Sequence, residues 1–152
     1  MVFLRYTMIQ GLAIKKVILH RDERGFFAEL LKAGEETFHE IRQTSYSETR
    51  LGVVKAFHVH DYWEVWCVIK GRARVVLYDG RPDSPTRGET QVIFAGEDDF
   101  QTIAIPPNVA HGYQALGPSP MGIIYHAEQP YDSSRRQIEH IPHDDPAINF
   151  QW

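Results

Sequence analysis

Residues 52–71 read GVVKAFHVHDYWEVWCVIKG, a stretch rich in Val, Ile and aromatic residues that carries two histidines and a glutamate. On an extended strand side chains alternate between faces, so His58 and His60 project from the same face. Glu64 has the same parity, with Asp61, Tyr62 and Trp63 between them available for a bend. Two imidazoles and a carboxylate on one face need only a fourth ligand to make a divalent-metal site. His111, in IPPNVAHGY, is the candidate for it. Trp63, Trp66, Phe57 and Tyr62 crowd the same stretch, where packing in a core or a pocket mouth accounts for them better than a direct role with a ligand.

Outward from this stretch the chain keeps the same texture. VILH, GFFAEL, VVKAFHVH, EVWCVI, ARVVLY, TQVIF, QTIAI and GIIYHA are runs of four to eight residues with β-forming composition. Between them stand DERG, KG, DGRPDSP, AGEDD, PPN and GPSP, which supply the residues that turns require. In RARVVLY the alternation is only partial and no inside face can be assigned. Ala33–Arg42 (AGEETFHEIR) is the single helical candidate. Short strands at this spacing predict an all-β antiparallel sandwich or barrel with few short helices. No repeat, low-complexity tract or long linker divides the 152 residues, so one domain over residues 1–152 is expected.

Sixteen Lys+Arg against twenty Asp+Glu give a net charge of −4, and no basic cluster offers a nucleic-acid footprint. A small anionic ligand remains compatible with this balance, because a pocket can be locally basic. The one cysteine, Cys67, lies within VWCVI and is expected to be a small buried hydrophobe. The apolar N-terminal stretch is broken by Arg5, Gln10, Lys15 and Lys16, which fits neither a signal peptide nor a spanning helix. A cytoplasmic protein without a membrane partner is expected.

The pattern G-x5-H-x-H-x3-E-x6-G from Gly52, followed by Pro106-x4-His111 with Asn108 where glycine is usual, resembles the two motifs of the cupin superfamily. That resemblance implies a single small barrel of jelly-roll type. In its metal-binding members the corresponding ligands are His58, His60, Glu64 and His111, a set suited to Fe, Mn, Ni or Zn. A second resemblance spans nearly the whole chain. DERGFFAEL, QTSYS, VVKAFH, DGRPDSPTRG, IPPNVAHGY and DDPAINFQW, in this order, are similar to the dTDP-4-dehydrorhamnose 3,5-epimerase family, itself of cupin type and dimeric.

The family resemblance implies a nucleotide-diphosphate 4-keto-6-deoxysugar as ligand, a homodimer and no required cofactor. It implies His58 as the base that removes a proton next to the keto group and Tyr131, in EQPYDSS, as the acid. Arg24, Phe27, Glu29, Gln43, Ser45, Lys55 and His111 would hold the substrate. Lys55 and Ala56 replace the family's Arg and Gly, His60 replaces a glutamine, and Glu64 falls where a lysine faces the developing enolate. The family's C-terminal aspartate, which orients the base, has no counterpart before Trp152.

An anionic Glu64 opposes enolate formation unless a bound cation reverses the local field. Conversely, an imidazole nitrogen engaged by a metal cannot accept a proton. Metal held through His58 would therefore pass the base role to Tyr131, to a Glu64 not bound to the metal, or to a metal-bound hydroxide. Two other functions fit parts of the sequence: a metal-dependent cupin oxygenase or lyase on another small molecule, and a non-catalytic sugar-binding cupin. His20, His39, His126, His140 and His143 show no ligand spacing with the main cluster and are expected at the surface or in structural roles. Arg135 and Arg136 form a basic pair on a solvated turn.

Overall fold

In the computed structural model, which describes residues 8–134 and 138–152, the described chain consists of strands and turns with no helix. In chain order the strands are β1 (Ala13–Lys16), β2 (His20–Asp22), β3 (Gly25–Phe27), β4 (Gln43–Thr49), β5 (Val54–His60) and β6 (Glu64–Lys70). They continue as β7 (Arg72–Tyr78), β8 (Thr90–Gly96), β9 (Gln101–Ile105), β10 (Ala110–Leu116), β11 (Met121–Ala127) and β12 (Ile138–His140). One sheet has the order β1-β9-β6-β11-β4, the other β12-β5-β10-β7-β8, and β2 and β3 form a separate hairpin. Every pairing is antiparallel. This is the all-β jelly-roll architecture expected from the sequence.

The core lies between the sheets. Trp66, Val68, Ile103, Ile105 and Ile123 of the first sheet pack with Ala73, Val75, Leu77, Ile93, Tyr113 and Ala115 of the second. RARVVLY shows only partial alternation because both of its faces are covered. Val75 points into the core, while Val76 joins Phe57, Ala110 and Ile148 beneath Phe150 and Trp152 of the C-terminal segment. Cys67 is buried as expected, where burial pushes its thiol up to about 11.

The helix expected over Ala33–Arg42 is absent; the segment is a run of turns. Gly34 takes φ +91° at its start, a conformation no right-handed helix contains. Only isolated turn bonds follow, such as Phe38 N–H to Glu35 C=O at 3.0 Å. Its apolar side chains, Phe38 and Ile41, remain exposed, so no tertiary face rewards a helix. Strand limits also shift. VILH lies mostly between β1 and β2, GFFAEL is extended only as far as Phe27, and β1, β4, β10 and β12 form where no strand was expected.

Two connections position the site. After His60 the chain leaves the second sheet, and Glu64 begins β6 in the first. Between β9 and β10, Asn108 adopts φ 63° and its N–H donates to the His60 carbonyl at 2.6 Å. Asparagine tolerates this left-handed conformation, which explains how it stands in a glycine's place. No helix in the described residues is long and apolar enough to cross a membrane.

Candidate functional site

A pocket of about 460 Å³ opens between the two sheets, within the range of small-molecule sites. Its walls come from β4 (Gln43, Ser47), β5 (Lys55, His58, His60), β6 (Glu64, Trp66), β10 (Tyr113) and β11 (Ile123, Tyr125). Tyr62, Ala127, Gln129 and Tyr131 complete it. Lys55 and His58 are three apart and would face opposite ways on a regular strand. They share the pocket because β5 is bulged: His58 pairs with His111 and Lys55 with Tyr113, three steps against two. Bulges re-aim side chains in this way.

The floor of the pocket is polar and buried: His60 and Glu64 line it, while His111, expected to hold substrate, lies behind them and does not line the cavity. His60 Nε2 stands 3.0 Å from Glu64 Oε2, and His111 Nε2 lies 4.0 Å from the same oxygen. Trp66 Nε1–H donates to Glu64 Oε1 at 2.6 Å, and His60 Nδ1 meets the Tyr62 hydroxyl at 2.7 Å. The Val109 carbonyl accepts from His111 Nδ1–H at 2.9 Å, which puts the lone pair of the neutral ring on Nε2. His111 is 2% exposed, and Nε2 finds no hydrogen-bond partner among the described residues. Burial raises Glu64 to about 7 and lowers His60 to about 4 and His111 to about 3, so both imidazoles are neutral.

The fourth sequence-derived ligand stands apart. Ligand atoms of His60, Glu64 and His111 all lie within 4.8 Å of one another. His58 holds its ring centroid 6.3 Å from that of His60 and 6.4 Å from that of His111. Its close neighbour is His140, its register partner on β12, with ring centroids 4.6 Å apart and nearly perpendicular. Burial, with His140 and Lys55 nearby, lowers the pKa of His58.

Tyr131, 67% exposed, sits at the pocket mouth, and its backbone N–H donates to Gln43 Oε1 at 2.7 Å. Gln43 in turn donates to Ser45 Oγ at 3.2 Å, although Ser45 does not itself line the pocket. Arg24, Phe27 and Glu29 are not brought to this pocket. They belong to the exposed β2–β3 hairpin and the residues after it, where Arg24 is paired with Asp22 at 2.5 Å and Phe27 is 64% exposed. The Arg135–Arg136 pair lies outside the described residues.

Sequence reasoning missed Ser47, Tyr113, Tyr125 and Gln129 as pocket residues and His140 as the neighbour of His58. No local signal marks them, because strands distant in sequence bring them in. Of the crowded aromatics, Tyr62 and Trp66 line the pocket, Trp63 stacks on His39 at 3.6 Å, and Phe57 packs on the outer face of the second sheet.

This arrangement offers a neutral imidazole, a phenol and an ammonium around one cavity, above a buried His/Glu/His cluster. Comparison with known proteins bears on the fold and on the extent of the chain that is shared. The spore coat polysaccharide biosynthesis protein SpsL of Bacillus subtilis is 44% identical over 95% of this chain and 97% of its own. A dTDP sugar isomerase of Desulfovibrio desulfuricans superposes with TM-score 0.86 at 29% identity, over 95% of this chain and 92% of that one. The Legionella pneumophila dTDP-6-deoxy-D-glucose-3,5-epimerase RmlC, solved in complex with dTDP-4-keto-L-rhamnose, superposes with TM-score 0.84 at 25% identity, over 96% and 80%. The family model described as dTDP-4-dehydrorhamnose 3,5-epimerase matches residues 6–152, from before β1 to the last residue, and by that match and these relatives the chain belongs to the dTDP-4-dehydrorhamnose 3,5-epimerase family.

Proposed function

We propose that the chain inverts a carbon next to the keto group of a dTDP-4-keto-6-deoxysugar, with His58 as base and Tyr131 as acid. The broader class follows from family membership: a nucleotide-sugar epimerase of polysaccharide biosynthesis. The observation that carries the finer reading is that His58 and Tyr131 line one cavity from opposite sheets, His58 on β5 and Tyr131 just after β11.

The chemistry runs as a proton removal and a proton return. His58, with its pKa lowered and its ring neutral, takes the proton of a C–H beside the carbonyl, and the electron pair moves into an enolate. Tyr131 delivers a proton to the other face of that carbon, which restores the ketone with inverted configuration. Lys55 supplies positive charge at the same wall. Gln43 fixes the backbone of Tyr131 from β4. Neither proton transfer calls for a redox or covalently bound cofactor.

We further propose that the chain works as a cytoplasmic homodimer. Phe26, Phe27 and Ile18 are large exposed apolar side chains on and beside the β2–β3 hairpin, and a partner's surface would cover them. In that assembly Arg24, Phe27 and Glu29 would meet the nucleotide rather than this chain's own sugar pocket.

Solvent-deuterium incorporation at the sugar carbon tests the mechanism. His58→Asn should lower the exchange rate by about 10²–10⁴-fold while dTDP binding persists. Undiminished exchange in His58→Asn would remove His58 from the base role.

A further inference from the structure

We infer that His60 and Glu64 of the pocket floor, with His111 buried behind them, form a divalent-cation site, and that His58 stands outside it. The argument begins with His111. Its Nδ1–H is committed to the Val109 carbonyl at 2.9 Å, so Nε2 carries a lone pair. That nitrogen is buried and without a hydrogen-bond partner among the described residues, an arrangement native interiors seldom tolerate. It faces Glu64 Oε2, an acceptor, at 4.0 Å. His60 Nε2 approaches the same oxygen at 3.0 Å, and the three ligand atoms fall within 4.8 Å of one another.

Two acceptors directed at each other at the buried end of the pocket call for something positive between them. A proton on Glu64 is one occupant. A divalent cation is the other, and it alone engages the orphaned nitrogen and both remaining donors together. Two imidazoles and one carboxylate are ligands for Fe, Co, Ni, Mn or Zn and leave positions open for water or substrate oxygen. The surroundings also fit. The Tyr62 hydroxyl at His60 Nδ1, the Val109 carbonyl at His111 Nδ1 and the Trp66 N–H at Glu64 Oε1 hold each side chain from behind.

The separation of His58 from this cluster has a mechanistic consequence, which rests on the epimerase reading. His58 keeps its nitrogens free to take a proton. The bound cation supplies positive charge at the pocket floor, where an unmetallated Glu64 carboxylate would oppose a developing enolate. Base and cation then occupy neighbouring positions and do not compete for one ring.

Co²⁺ titration of chelator-treated protein, followed by its visible absorption and by metal analysis, tests the site without reference to activity. One Co²⁺ per chain should bind. Glu64→Gln and His111→Gln should each weaken binding by about 100-fold, while His58→Asn leaves it unchanged. Three results would overturn the site as drawn: no saturable uptake by the unsubstituted protein, uptake indifferent to both Glu64→Gln and His111→Gln, or loss of uptake in His58→Asn. Deuterium exchange on a dTDP-4-keto-6-deoxysugar then separates site from role. Stripping the metal should slow exchange by about 100-fold and adding it back should restore the rate. Exchange unaffected by stripping would overturn the electrostatic role. Bound Co²⁺ with no exchange in any form would uphold the site and overturn the epimerase reading.

Discussion

Asp79 is wholly buried, yet its carboxylate is fully engaged. Oδ1 accepts from Arg81 Nε at 2.9 Å, and Oδ2 accepts from Arg81 Nη2, Ser84 Oγ and Thr86 Oγ1 at 2.9, 2.5 and 2.6 Å. Arg81, with Ser84 and Thr86, holds this carboxyl well below the usual carboxylate range. A depressed folded-state pKa means the stabilisation is present above the unfolded value of about 4 and is lost as pH falls below it. Asp79→Asn should therefore cost about 3 kcal/mol at neutral pH and flatten the acid limb of stability, as read by urea denaturation at neutral and acid pH. At this scale much was legible. DGRPDSPTRG announced a turn, and the spacing of His58, His60, Glu64 and His111 announced a cluster. What spacing could not give was reach: Glu64 crosses from one sheet to the other and meets His60 and His111, while His58 stands one pleat farther along β5. His140 was illegible, because only the pairing of β12 with β5 puts it beside His58.

Among elements, β5 shows how a strand departs from period two to serve a site. Its bulge lies against Gly112, where a Cβ would come within 2.3 Å of Ala56 Cβ and 2.7 Å of the Lys55 carbonyl oxygen. The obstacle is mainly backbone and cannot swing away. Gly112→Ala should cost about 3 kcal/mol by overpacking. It should also weaken dTDP-sugar binding beyond that loss, because Lys55 and His58 move with the bulge; calorimetric binding and thermal melting would separate the two effects. β4 escaped sequence reasoning for a related reason. Gln43, Ser45, Ser47 and Thr49 alternate inward, but Gln43 and Ser47 line a pocket and Thr49 bonds the Tyr113 hydroxyl at 3.0 Å, so the inner face carries no hydrophobic signal. β6 was legible because its inward residues, Trp66 and Val68, meet apolar core. The false helix over Ala33–Arg42 came from local composition, which Gly34 and the lack of a burying surface overrule.

The described residues form two packed sheets and one projecting hairpin, on which Phe26, edge-on to Phe100, and Phe27 stay more than half exposed. If a second copy covers them, Phe27→Asp should shift the protein toward monomer in sedimentation and lower dTDP affinity, while its circular dichroism stays native. The class of fold was legible at this scale from strand composition and turn spacing alone. The order of strands was not, since pairing partners are chosen across the full chain. That order reaches into biosynthesis. In β1-β9-β6-β11-β4 no two neighbours follow one another along the chain. A ribosome must therefore deliver Ala127 before β4 has its partner, and β6 keeps one edge open until β11 is made. Contacts so distant in sequence make folding slow, on the order of milliseconds to seconds. The yield of this protein in cells should consequently follow chaperone supply and growth temperature more closely than its equilibrium stability.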